Sequence, residues 1–162
     1  MNKKRVEAIC SMFVEGSTFL DIGTDHAFIP IFLLKNKHAI NGFATEIHQG
    51  PFENAIKNIK YHNLDHRMEV KLGNGIEPFK HLQSVDYLII TGLGTSTIID
   101  IIENSKNKFW DRMILESTND VVKLRKWVKK NNYYIEDEIL IKESNKYNFI
   151  LRINNNRKTN VK

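Results

Sequence analysis

Five times along this chain, a short and almost continuously apolar run gives way to a helix-like segment. The runs Ser17–Ile22, Ala39–Glu46, Met68–Leu72, Val85–Thr91 and Arg112–Glu116 read as strands. The Tyr87-Leu88-Ile89-Ile90 stretch has the pattern of a strand buried on both faces. Helical stripes surround them. Val6, Ile9, Cys10 and Phe13 open the chain, and a short apolar helix runs from Ile29 to about Lys35. Gly50-Pro51 opens a helix carrying Phe52, Ala55, Ile56 and Ile59. Ile98, Ile99, Ile101 and Ile102 mark the next, and Val121, Leu124 and Val128 the last. Such alternation predicts an α/β fold, a mostly parallel doubly wound sheet with helices on both faces. After residue 130 the alternation stops. Tyr133–Lys142 and Tyr147–Ile153 are strand-like and joined by only Glu143–Lys146, too short for a parallel crossover, so the sheet ends in an antiparallel hairpin. Residues 1–153 form one domain in this reading, with 154–162 a basic disordered tail.

The residues with chemical character fall at the predicted carboxyl ends of the strands, where an open α/β sheet binds ligands. The first strand leads into Asp21-Ile22-Gly23-Thr24-Asp25-His26-Ala27-Phe28-Ile29-Pro30. Gly23 permits close backbone approach. A dinucleotide fingerprint would need glycine where the chain has Asp25 and Phe28, and Asp25 would repel a pyrophosphate. A cationic cofactor such as S-adenosylmethionine meets no such objection. Glu46 ends the second strand at about the interval after Gly23 where an acid reaches a ribose diol, whose two hydroxyls one carboxylate can accept. Asn74, beside Gly75, follows the third strand and offers an amide to an adenine edge. Gly92 and Gly94 follow the fourth and leave room at the reactive end. Each residue also has a plainer reading as surface, turn or helix cap.

Composition narrows the class further. The chain has 162 residues, enough for one domain with a sizeable core. Its single cysteine, Cys10, excludes a disulfide framework and any multi-cysteine metal site, and no metal site is expected. No apolar run approaches a membrane span, so the chain reads as cytoplasmic without a membrane partner. The net charge of +5 suits an RNA partner but equally reflects a Lys-, Asn- and Ile-rich composition. Lys123, Arg125, Lys126, Lys129 and Lys130 surround the last helix and are candidates for phosphate contacts. The oligomeric state stays open, with a monomer slightly favoured.

Asp21 to Pro30, Glu46 with Gly50-Pro51, Gly73-Asn74-Gly75, Gly92-Leu93-Gly94 and Leu124-Arg125-Lys126-Trp127 together resemble the bacterial tRNA (adenine-22-N1)-methyltransferase family, over roughly residues 3 to 152. The resemblance implies a Rossmann-like class I methyltransferase fold, S-adenosylmethionine as donor and N1 of a tRNA adenine as acceptor. Asp21, Gly23, His26, Glu46, Asn74, Gly75, Gly92 and Gly94 would hold the cofactor, His26 at its methionine end. Asp25 would face the charge arriving on the adenine, and Phe28 would be the wall against which the base stacks. The family usually has Tyr at position 28, a Gly-Gly pair at 94–95 and Gln-Pro-Asn where this chain reads Glu116-Ser117-Thr118. Glu116 would then face the acceptor base with a bare negative charge in place of an amide. The family also carries a C-terminal helical extension that helps grip tRNA, and this sequence ends just after the hairpin, as a short form would. Two other readings fit the same residues: a non-catalytic paralogue that binds cofactor or RNA, and a methyltransferase for a small molecule or protein.

Overall fold

In the computed structural model, which describes residues 2–155, the chain folds as α1 (Lys3–Ser11), β1 (Ser17–Ile22), α2 (Phe28–Lys35), β2 (Ala39–Glu46), α3 (Gln49–Tyr61) and β3 (Met68–Leu72). A 3-10 turn (Glu77–Phe79) leads to β4 (Val85–Leu93), α4 (Thr95–Glu103), β5 (Trp110–Ser117), α5 (Val121–Lys130), β6 (Tyr134–Glu143) and β7 (Lys146–Asn154). The seven strands form one sheet in the order β3-β2-β1-β4-β5-β7-β6. β1 to β5 are mutually parallel, and β7 inserts antiparallel between β5 and β6. The chain winds outward from β1 to β3, then returns to lay β4 on the other side of β1. The order therefore reverses between β1 and β4.

Alternate residues of the central strands feed two separate cores, which is why those strands read as continuous apolar runs. Phe19, Tyr87, Ile89 and Ile114 pack beneath Val6, Ile9, Leu33, Leu34, Ala55 and Ile59 of α1, α2 and α3. Leu20, Leu88, Ile90, Met113 and Leu115 pack on the opposite face against Ile98, Ile102, Leu124 and Trp127 of α4 and α5.

The predicted hairpin is present, but its turn is tighter than the four residues expected. Glu143 pairs with Lys146, leaving Ser144-Asn145 as the connection. Ser144 takes a positive φ of 52°, as a two-residue hairpin turn demands. β7 also continues into the segment read as a tail. Asn154 ends the strand, and its amide donates to Glu136 Oε1 at 2.6 Å, while the Asn155 amide donates to the Trp110 carbonyl. The rest of that segment, 156–162, lies outside the described residues. Glu136 on β6 also accepts from Arg112 Nε on β5 and Arg152 Nε on β7, at 2.8 and 3.1 Å. Burial alone would raise its pKa, but these partners hold it below the usual carboxylate range. One carboxylate thus staples three strands.

Gly42 shows how closely β1 and β2 fit. It pairs in register with Phe19, and a Cβ built on it would lie 2.1 Å from the Phe19 ring. The ring is fully buried and packs edge-on against Phe13 at 6.3 Å, so it has little room to retreat. Gly42→Ala should therefore destabilise the fold by about 1–3 kcal/mol, the usual cost of overpacking. The check is the midpoint of urea denaturation, and adding Phe19→Leu to Gly42→Ala should recover part of the loss.

Candidate active site

The reversal of strand order leaves a crevice beyond the carboxyl ends of β1 and β4, where the connections diverge. A cleft of about 460 Å³ occupies it, within the roughly 300–1,000 Å³ span of small-molecule sites. Asp21, Gly23, Asp25, Glu46, Asn74, Gly75 and Gly92 all line this cleft. Four of the other residues singled out from sequence do not: His26, Phe28, Gly94 and Glu116. A larger groove of about 760 Å³ shares Asn74, Gly75, Thr97 and Ile101 with the cleft and runs down the side of α4. It lacks the strand-end carboxylates Asp21 and Glu46, so the smaller cleft is the candidate site.

The end of β2 organises three of the loops. The Thr45 carbonyl accepts from the Gly23 and Thr24 amides at 2.9 and 3.0 Å, and Thr45 Oγ1 donates to the Gly75 carbonyl at 2.8 Å. Glu46 Oε2 accepts from the Asp25 amide at 3.0 Å. Glu46 Oε1 accepts from the Ile47 and His48 amides at 3.0 and 3.2 Å, and the Glu46 carbonyl receives the Gly73 amide. Glu46 is buried and so has a structural task that its position in the sequence did not reveal. A carboxylate offers about four lone-pair directions, so three backbone donors leave capacity for a ligand hydroxyl.

The turn after β1 is tightly wound. Gly23, Asp25 and Ala27 all have positive φ, at 71°, 55° and 61°. Glycine and aspartate tolerate this conformation, whereas alanine is strained by about 1–2 kcal/mol. Ala27 caps α2 with no side-chain hydrogen bond, so Asp25 and His26 do not serve as its caps. Asp25 instead presents a half-exposed carboxylate to the cleft, 3.7 Å from His26 Nε2. His26 packs its ring against Phe28 at a centroid distance of 5.4 Å. Phe28 faces a separate groove between α1 and α2, lined also by Val6, Ile31 and Phe32. The expected acceptor wall is therefore turned away from the cleft, because residue 28 begins α2 rather than ending the turn.

Asp21 lies buried under the cleft. Burial pushes its carboxyl up to about 7, and the Thr24 hydroxyl and Arg5 pull it back only in part, while Glu46 adds to the rise. Thr24 Oγ1 is itself buried without a hydrogen bond of normal geometry. Gly23 faces open space, with nothing within 4 Å of where a Cβ would stand. A buried acid and an open backbone cradle suit a polar, positively charged ligand.

Glu116 departs from expectation. Its carboxylate is buried and both oxygens accept from Arg5 Nε at 2.8 Å, so no bare charge stands at the acceptor end. Arg5, on α1, is also a wall of the cleft. Sequence reasoning missed it because it sits on a helix remote from every strand end, and no spacing ties position 5 to position 116. An amide is present at this end of the sheet all the same. Asn119 Oδ1 accepts from the Thr95 amide at 2.9 Å, and its Nδ2 lies 3.4 Å from where a Cβ on Gly94 would be.

The five cations expected to contact phosphate are divided by their helix. α5 starts at the ligand end of β5 and runs back along the sheet, about 15 Å over its ten residues. Lys123 donates to Ser96 at 2.7 Å beside the start of α4, and Arg125 pairs with Glu138. Lys129 and Lys130 lie in the last turn, away from the cleft. Among the described residues no helix is long and apolar enough to cross a membrane.

A methyltransferase-domain family matches residues 2–151. The tRNA (adenine(22)-N(1))-methyltransferase of Bacillus subtilis (strain 168) is 32% identical over 145 residues, covering 88% of this chain and 60% of that protein. This chain thus spans less than two thirds of that relative's length. Two solved structures align over nearly the whole chain. M. capricolum TrmK, in complex with S-adenosyl-homocysteine, has a TM-score of 0.88 and 33% identity, covering 96% of this chain and 70% of that one. A Streptococcus pneumoniae protein in complex with S-adenosyl-L-methionine has a TM-score of 0.88 and 32% identity, covering 95% and 73%. The chain belongs to the methyltransferase-domain family and, within it, to the group of the tRNA (adenine(22)-N1)-methyltransferases.

Proposed function

We propose that this protein is an S-adenosylmethionine-dependent tRNA methyltransferase that methylates N1 of adenine 22. The observation that carries the reading is the cleft at the β1/β4 switch, with Asp21 and Glu46 at successive strand ends. The relatives' names supply the reaction and the acceptor. The cofactor, when bound, supplies an electrophilic methyl group on a sulfonium centre. Glu46 would accept ribose hydroxyls, Asn74 would meet the adenine edge, and Asp21 would balance positive charge at the amino-acid end. Gly23 and Gly92 would let the ligand lie close to the backbone.

The chain's part in the chemistry is alignment. Neutral adenine N1 carries a free lone pair, so no proton has to be removed before attack. Positive charge then develops on the acceptor ring, and Asp25, half-exposed at the cleft, would stabilise it through space. The acceptor base must leave its stack to reach the cleft.

Three measurements test this reading. Incubation with unmodified tRNA and S-adenosylmethionine should yield 1-methyladenosine at position 22 by nucleoside mass spectrometry. Intact cofactor binding without that product would favour a non-catalytic binding protein. Binding of tRNA should weaken as salt rises, since phosphate contacts release counterions, and Lys123→Ala should reduce the salt slope more than Lys129→Ala. Finally, Glu46→Ala should weaken the cofactor about 10- to 100-fold, the equivalent of about 1.5–3 kcal/mol. It should also lower Tm, because three backbone amides lose their acceptor.

Asp21 sets the pH dependence. Its folded pKa of about 7 lies above the ordinary carboxylate value of 3.8, so the folded protein keeps a proton that the unfolded chain releases. Its contribution to stability is therefore greatest below the ordinary value and falls as pH rises toward 7. Asp21→Asn should raise Tm at pH 8 and leave it nearly unchanged at pH 4. A cationic ligand favours the ionised form. Calorimetry should find S-adenosylmethionine bound about 5- to 10-fold more weakly at pH 6 than at pH 8, with that difference abolished in Asp21→Asn.

A further inference from the structure

Arg5 and Glu116 form a buried ion pair between α1 and the end of β5, with side chains 13% and 4% exposed. A buried pair is seldom more stabilising than apolar packing of the same volume, so its geometry is the more informative property. Only Nε of Arg5 is engaged, donating to both Glu116 oxygens. The N–H groups of its two terminal nitrogens have no protein partner among the described residues. Nη2 stands over the end of β4, 3.4 Å from where a Cβ on Gly92 would lie, and Arg5 lines the cleft. Asp21, one strand further along the sheet, faces the same cleft and feels the charge of Arg5.

The cleft thus presents a cation and an anion that are close but not paired with each other. Glu116 is the reason. Through Nε it holds the guanidinium at the end of β5. Two separated opposite charges match a zwitterion, with an ammonium toward Asp21 and a carboxylate toward Arg5. We propose that Glu116 is a positioning residue, fixing Arg5 through Nε so that its terminal N–H groups receive the carboxylate at the amino-acid end of the cofactor. This rests on the cofactor reading above.

The experiment compares two probes by calorimetry. S-adenosylhomocysteine carries the amino-acid end, and 5′-methylthioadenosine lacks it but keeps the adenosine. In Arg5→Met and Glu116→Ala, affinity for S-adenosylhomocysteine should fall about 10- to 100-fold, the scale of a lost charge-assisted bond. Affinity for 5′-methylthioadenosine should stay within about twofold. Glu116→Gln keeps one acceptor for Nε and should show an intermediate loss, and it supplies the reading if the alanine variant does not fold. Equal losses for both probes would mean that the pair merely holds α1 in place and would overturn the proposal. Unchanged binding of both probes in the Glu116 variants would overturn it as well. If the unaltered protein binds neither probe, the cofactor reading itself fails and this inference falls with it.

Discussion

The site depends on two consecutive residues at the end of β2. Thr45 and Glu46 provide backbone and side-chain partners for the turns after β1, β2 and β3, so three separate loops share one anchor. Backbone amides in such turns cannot be satisfied by sheet pairing, and leaving them buried and unpaired would be costly. By taking them up, β2 converts loops into a fixed rim. A ligand that meets Glu46 meets a group whose orientation is already set by three amides, so little freedom is lost on binding.

A second lacing holds the other half of the cleft. Thr95 Oγ1 lies 2.6 Å from Ser117 Oγ and donates to the Asp120 carbonyl at 2.8 Å, while Asn119 receives the Thr95 amide. These bonds tie the start of α4 to the loop after β5. The two halves do not share these bonds. Arg5, reaching from α1 over Gly92, pairs with Glu116 on one side, and its charge is felt by Asp21 on the other.

Much of the architecture was legible because the signal is local. Tyr87 to Ile90 is apolar throughout since both faces are covered, and the Ile98 to Ile102 stripe repeats at helical spacing. The site was legible only as far as strand ends are. Asp21, Gly23, Glu46, Asn74 and Gly92 fell on the cleft because the topology carries the carboxyl ends of the parallel strands β1 to β5 to one edge. Phe28 and His26 did not, because one residue separates the turn from α2 and the helix turns Phe28 toward the α1–α2 groove. The pairing of Glu116 with Arg5 was invisible, since 111 residues separate the partners. Equally hidden was the backbone task of Glu46, which no residue type announces.

The insertion of β7 between β5 and β6 carries a consequence for how the chain is made. In the ladder of backbone pairing β6 lies beside β7 alone, and β7 is translated after it. On an emerging chain, the five parallel strands that build the cleft can assemble while β5 still shows an open outer edge and β6 has no partner. That edge carries Met113, Ile114 and Leu115, all fully buried once the sheet is complete. Open apolar edges are templates for pairing with other chains. The vulnerable interval is therefore the synthesis of β6 and β7, when the ligand-binding half already stands and the edge that protects it from its neighbours is still being made.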